Sequence, residues 1–179
     1  MSDKRRHTII DHGPISWDIY FMAIARLSSM RSKDPHTQVG ACIVDADHRI
    51  LSIGYNGMPN AFGDSEAPWE RDGDFLDTKY AYVVHAERNA ILNYRGSRRD
   101  LRGATLYVDL FPCNECAKEI VQSGIGEVVY LSDKYADSDE TIASKRILDA
   151  CGVPYRRFDQ GDANIDALLV SLIPAAESN

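Results

Sequence analysis

Two short segments carry residues whose types and spacing can do chemistry: His85-Ala86-Glu87 and Pro112-Cys113-Asn114-Glu115-Cys116. Cysteines three positions apart share one face of a helix, so both sulfurs can reach a single ion. A helix start adds free N–H groups and the positive end of the dipole, which favour thiolate over thiol. Two sulfurs and one imidazole leave the fourth position of a tetrahedral zinc open to water. That is the ligand count of a catalytic site rather than a structural one. Glu87 lies two residues from His85, where both side chains can lean towards the ion. A carboxylate there can take a proton from water and hand it to a substrate nitrogen.

The same residues admit other chemistry. A Cys-x-x-Cys between a strand and a helix also serves as a thioredoxin-like redox pair. A structural zinc would need a fourth protein ligand, for which Cys42 and Cys151 are candidates. Cys42 falls in mid-strand and Cys151 at a helix end, so both read as small core residues. His7, His12, His36 and His48 lack ligand spacing and read as loop or surface residues. Glu87 favours the catalytic alternative, since neither a redox pair nor a structural zinc needs a carboxylate beside the metal.

The elements that must position these residues follow from periodicity and punctuation. Ser16 is placed to cap a helix from Trp17 to about Met30, with Tyr20, Ala23, Ile24 and Leu27 on its buried face. Pro35 disfavours helix at Asp34. Residues 39–45 and 49–55 predict a hairpin of two strands, and 56–74, rich in Gly, Pro and Asp, a long functional loop. A helix starting near Thr78 or His85 should end at Tyr94, before Arg95-Gly96. A strand over 104–110 then leads to a helix over 113–123, stopped by Gly124. A strand over 127–133, a helix over 137–151, a short strand over 153–158 and a helix over 164–173 complete the chain. The pattern predicts an α/β chain: a three-layer α/β/α domain with a central mixed sheet of about five strands. Residues 1–14 read as a flexible arm and 15–179 as a single domain.

The 179 residues include 20 basic and 27 acidic ones, a formal charge of −7. That balance counts against binding long nucleic acid. The apolar stretch after the basic N-terminus is too short for a signal peptide, and no run reaches the ~20 residues of a membrane span. The expectation is a soluble cytoplasmic protein with no membrane partner.

The His-x-Glu and Pro-Cys-x-x-Cys pair is the signature of zinc deaminases. The surrounding text is more specific. "RSKDP", "QVGACIV", "GYNGMPN", "LDTKY", "LFPCNECAK" and "EVVYLSDKY" span most of residues 17–158. In these segments the chain resembles the deoxycytidylate deaminases, a branch of the cytidine deaminase-like superfamily. The resemblance implies one Zn2+ per chain on His85, Cys113 and Cys116, with Glu87 as the proton shuttle. It implies hydrolytic conversion of dCMP to dUMP and ammonia. It places Arg31, Ser32 and Lys33 with Tyr135 near the 5′-phosphate, Asn56 near the deoxyribose and Ala86 at the substrate. A solvated helix end is the alternative for Arg31 and Lys33. It further implies a homo-oligomer, commonly a hexamer, activated by dCTP and inhibited by dTTP, with Tyr55, Asn56 and Gly57 in the effector region. Residues 57–84 contain no Cys or His, so no second zinc is expected there.

One residue departs from the family pattern. Arg88 follows His-Ala-Glu where an apolar residue is usual. Either it hydrogen-bonds the two thiolates and keeps the zinc electrophilic, or it lies on the outer face of the helix or at a subunit contact. It could also accompany a shifted preference, for example towards a 5-substituted cytosine nucleotide.

Overall fold

The computed structural model describes residues 13–63, 66–159 and 164–172. The arm expected over 1–14 lies outside these residues except for Gly13 and Pro14, as do His7 and His12.

Five strands form one sheet: β1 (Gly40–Val44), β2 (Ile50–Tyr55), β3 (Thr105–Leu110), β4 (Glu127–Ser132) and β5 (Tyr155–Arg157). Their order is β2-β1-β3-β4-β5. β1 is antiparallel to β2 and β3, while β3, β4 and β5 run parallel. Alternation sorts the strand side chains to two faces. Ala41, Ile43, Leu106, Val108, Val128 and Tyr130 face one core. That core is covered by α2 (Ala86–Asn93), α3 (Asn114–Ser123) and α4 (Asp139–Ala150). Cys42, Val44, Tyr107 and Val129 face the other, beneath α1 (Trp17–Ser29) and α5 (Ile165–Leu172). This is the expected three-layer α/β/α arrangement around a mixed sheet. Among the described residues no helix is long and apolar enough to cross a membrane.

Ser16 caps α1 as expected, accepting a hydrogen bond from the Ile19 N–H. The buried face differs from expectation. Phe21, Met22, Ala25, Ser28 and Ser29 are buried along with Ala23, whereas Tyr20 and Leu27 are exposed. Apolar residues run around most of this helix, so periodicity alone does not choose a face. Gly40 chooses it. A Cβ there would lie 1.9 Å from the Ala25 carbonyl oxygen, so the bare glycine seats that side of the helix directly on β1. Cys151 is a second correction. Cys42 is fully buried, but Cys151 is exposed as the C-cap of α4. The chain turns away there through Gly152 at φ +69°.

Beneath α1, β3 carries a buried carboxylate. Asp109 accepts the Gly40 N–H at 2.9 Å, and its second oxygen has no hydrogen-bond partner among the described residues. Arg26 lies 3.9 Å away, its Nε donating instead to Asp166 of α5. Burial raises the Asp109 pKa from 3.8 to about 6, against the pull of the Gly40 N–H and Arg26. The folded state therefore holds this proton more tightly than the unfolded one. The resulting stability is fully present below pH 3.8 and is lost as pH rises through 6. Asp109→Asn keeps the acceptor for Gly40 and removes the charge. It should stabilise the protein by about 1–3 kcal/mol at pH 8 and by less at pH 5. Urea unfolding at the two pH values checks this, and an equal effect at both would rule out the charge as its cause.

Candidate active site

The sheet topology brings distant segments to one edge. β2, β3 and β4 end there, and β1, antiparallel to β2 and β3, begins there. Val39, Asn56, Phe111 and Tyr135 follow or precede those strand ends and line one cavity of about 420 Å3. Between Asn56 and His85 the chain makes a long excursion, closed at its base by paired hydrogen bonds between Gly57 and Val84, at 3.1 and 2.9 Å. That bridge explains why α2 starts at Ala86 rather than near Thr78. Two 3-10 turns, Phe75–Asp77 and Lys79–Ala81, precede it instead. A Cβ on Gly54 would lie 2.3 Å from the Ala86 carbonyl and the Ala90 N–H. α2 therefore packs directly on β2, which fixes where His85 stands.

His85 is the N-cap of α2 and Cys113 the N-cap of α3, with Cys116 in the first turn of α3. His85 Nδ1 lies 3.4 Å from Cys113 Sγ and 3.5 Å from Cys116 Sγ. Tetrahedral zinc at ordinary bond lengths holds its sulfur and nitrogen ligands about 3.6 Å apart. All three donor atoms lie within 4.8 Å of one another, and this is the one such cluster among the described residues. The donor set and its spacing fit a zinc ion. Cys151 is exposed and Cys42 lies under α1 on the opposite face, so neither is a fourth ligand.

The electrostatics suit that role. The Cys113 pKa is lowered to about 4 by hydrogen bonds from Cys116 and His85. His85 is raised to about 9 by its hydrogen bond to Cys113. Cys116 is pushed up by the neighbouring Cys113 and by burial. Binding of a cation by this ligand set is coupled to loss of the ligands' protons. Glu87 lines the same cavity and is only 4% exposed. Burial, partly offset by His85, raises its pKa above the usual carboxylate value.

Of the other residues singled out from sequence, Ala86, Asn56 and Tyr135 line this cavity and Arg31, Ser32 and Lys33 do not. Alternate residues of the segment after α1 point to opposite sides. Ser32 and Asp34 are buried, while Arg31 and Lys33 face a second cavity of about 300 Å3 together with Tyr55, Asn56 and Gly57. The Ser32 hydroxyl accepts the Asp34 N–H, within its own loop. The amide of Asn56 is occupied. Its oxygen accepts the Val39 N–H at 2.8 Å, and its nitrogen donates to Asp34 and to the Thr37 carbonyl. It frames the cavity wall. Arg88 donates from Nε to Glu119 of α3 at 2.6 Å. Cys116 and Cys113 act on its charge through space, but its hydrogen-bond partner is Glu119.

Of the charged and aromatic residues lining the cavity, Arg71 lies outside every quoted motif, while Lys79 and Tyr80 lie in the LDTKY segment with no role assigned to them from sequence. Arg71 Nε donates to the Tyr80 hydroxyl at 3.2 Å. The length and composition of the 56–74 loop marked it as functional, but nothing local in its sequence shows which residue turns inward.

The α/β/α fold and the His/Cys/Cys cluster with its neighbouring acid define the class as zinc-binding deaminases, hydrolases of a cyclic amidine. Residues 15–132 match the cytidine and deoxycytidylate deaminase zinc-binding region. The chain belongs to this family. It is 54% identical over 145 residues to the deoxycytidylate deaminase of Homo sapiens, an alignment covering 80% of each chain. It is 57% identical over 149 residues to a probable deoxycytidylate deaminase of Drosophila melanogaster, covering 80% of this chain and 72% of that one. Among solved structures it is similar to the dCMP deaminase of cyanophage S-TIM5 in complex with dCMP and dUMP. The TM-score is 0.61 at 27% identity, covering 77% of this chain and 93% of the other.

Proposed function

We propose that the chain deaminates dCMP hydrolytically, yielding dUMP and ammonia. The observation that carries this reading is one cavity lined by His85 and Cys113 of the metal-ligand cluster, the buried Glu87 and Arg71. The similarity to deoxycytidylate deaminases supports the choice of substrate. Zinc on the three ligands would supply the Lewis acidity that brings the pKa of a water near 7. Glu87 takes the proton of the attacking water as oxygen bonds to ring carbon 4, and delivers it to ring nitrogen 3. It then carries the hydroxyl proton to the 4-amino group, which leaves as ammonia while the carbonyl forms.

Charge bookkeeping selects the phosphate ligand. Lys79 is neutralised by Asp34 at 2.5 Å. The Arg71 guanidinium hydrogen-bonds the phenol of Tyr80 and faces Tyr135, and among the described residues it has no carboxylate partner. Arg71, with the hydroxyls of Tyr80 and Tyr135, is the grip for the 5′-phosphate. Arg71→Leu should raise KM for dCMP by about 10–100-fold, the worth of a charged hydrogen bond, and leave deoxycytidine hydrolysis within about threefold. Equal losses on both substrates would remove Arg71 from the phosphate.

The effector response belongs to the same reading. The second cavity, where Arg31 and Lys33 meet Tyr55 and Gly57 and which shares Asn56 with the first, suits a nucleoside triphosphate. Activation by dCTP, inhibition by dTTP and a homohexamer rest on family membership. Steady-state turnover by zinc-loaded protein tests the whole on dCMP, CMP, deoxycytidine, dCTP and 5-methyl-dCMP, with and without triphosphates. Preference for dCMP is expected, and zinc-loaded protein inert towards dCMP would overturn the reading.

A further inference from the structure

We propose that Lys79 is a positioning residue that assembles the substrate cavity, an inference that rests on the deaminase reading for its substrate. Lys79 and Asp34 lie 45 positions apart in sequence. Their side chains are 7% and 1% exposed, and Nζ stands 2.5 Å from Oδ2. Ionic pairs buried this deeply are uncommon because both charges lose their water. Here the pair is embedded in a closed network.

Asp34 Oδ1 accepts the N–H groups of His36 and Thr37, at 2.8 and 3.1 Å. Oδ2 accepts Lys79 and, at 3.2 Å, the amide of Asn56. Asn56 in turn holds Thr37 and Val39. The Lys79 ammonium thus completes the wall of the cavity formed by Asp34, Thr37, Val39 and Asn56. Burial works against the Asp34 carboxylate, yet the Lys79 ammonium and the two backbone N–H groups hold its pKa below the usual value.

The backbone of Lys79 is engaged as well. Its N–H donates to the Glu70 carbonyl, next to Arg71, at 3.1 Å. Its carbonyl accepts from Tyr82 and from Val83, two residues before His85, at 3.0 and 2.8 Å. One residue therefore ties three things together: the limb carrying Arg71, the limb leading to the metal ligand, and the opposite wall. Its charge is spent on Asp34, so it aligns the groups that meet the nucleotide without itself gripping the phosphate.

The test compares Lys79→Met with the neutral pair Lys79→Met/Asp34→Asn, both zinc-loaded, on dCMP and deoxycytidine. Lys79→Met should retain one zinc per chain. It should lower kcat/KM on both substrates by the same factor, about 10–100-fold and mainly through KM. The neutral pair, having no orphaned carboxylate, should recover at least about threefold of that loss. A loss confined to dCMP would make Lys79 a phosphate ligand and overturn the proposal, and so would unchanged kinetics.

Amide hydrogen exchange provides a readout that needs no turnover. In either variant the amides of Thr37, Val39, Asn56 and Val84 should exchange at least about tenfold faster while β3 stays protected. If wild-type protein does not deaminate dCMP, the deaminase reading falls, and exchange alone decides the role of Lys79. Unchanged exchange at those amides overturns it. If Lys79→Met does not accumulate folded, the neutral pair carries both measurements with the same outcomes.

Discussion

Glu87→Gln should lose turnover on dCMP by about 10³–10⁴-fold while keeping the fold and the zinc. The substitution conserves volume, which matters because Glu87 is 4% exposed and any smaller residue would open a cavity. Glutamine retains a hydrogen-bonding oxygen but cannot accept and return a proton. Every transfer assigned to Glu87 is therefore lost together, and the loss falls on kcat, with KM changing little. Steady-state kinetics, zinc content and circular dichroism on one preparation separate the outcomes. Turnover within tenfold of wild type would show that another group moves the protons. A loss of zinc would show that the carboxylate is a ligand, which the three-donor cluster does not require.

The second large effect is on Cys113→Ala. Cys113 caps α3 and lies 3.4 Å from His85 Nδ1, so its removal leaves two donors. Zinc should fall from one per chain to below about a tenth after dialysis, with activity falling in proportion. A bound ion present at 100–1,000 times its dissociation constant stabilises the folded state by about 3–4 kcal/mol. A chelator should therefore lower the melting temperature of wild-type protein by several degrees and leave that of Cys113→Ala unchanged. Full zinc occupancy in the variant would refute the ligand assignment.

These two residues, with His85 and Cys116, were legible in the sequence because their relations are local. The Cys-x-x-Cys spacing sets two sulfurs on one helical turn whatever the rest of the chain does. His85 and Cys113 both turned out to be N-caps, each in extended backbone immediately before its helix. Strand alternation and helix punctuation likewise determined the α/β/α layering, since each element must hide one apolar face.

What only the tertiary structure decided depends on contacts between segments far apart in sequence. Helix α1 presents apolar residues on several sides, and the missing side chain of Gly40, on another element, selected which side is buried. Arg88 was one residue from Glu87 in sequence, but its partner Glu119 lies 31 positions away on α3. Arg31 and Lys33 sit close in sequence to the cavity wall, yet the turn that follows α1 sends them to the second cavity. Arg71 and Lys79 come from the opposite situation. They lie in a long excursion without periodicity, and they reach the site because the antiparallel β1–β2 hairpin and the Gly57–Val84 bridge return the chain to the sheet edge where β3 delivers the thiolates. Local spacing thus determined the metal chemistry. Sheet order and loop closure decided which charges line the cavity, because a charge is placed by the contacts that enclose it and those contacts are not neighbours in the chain.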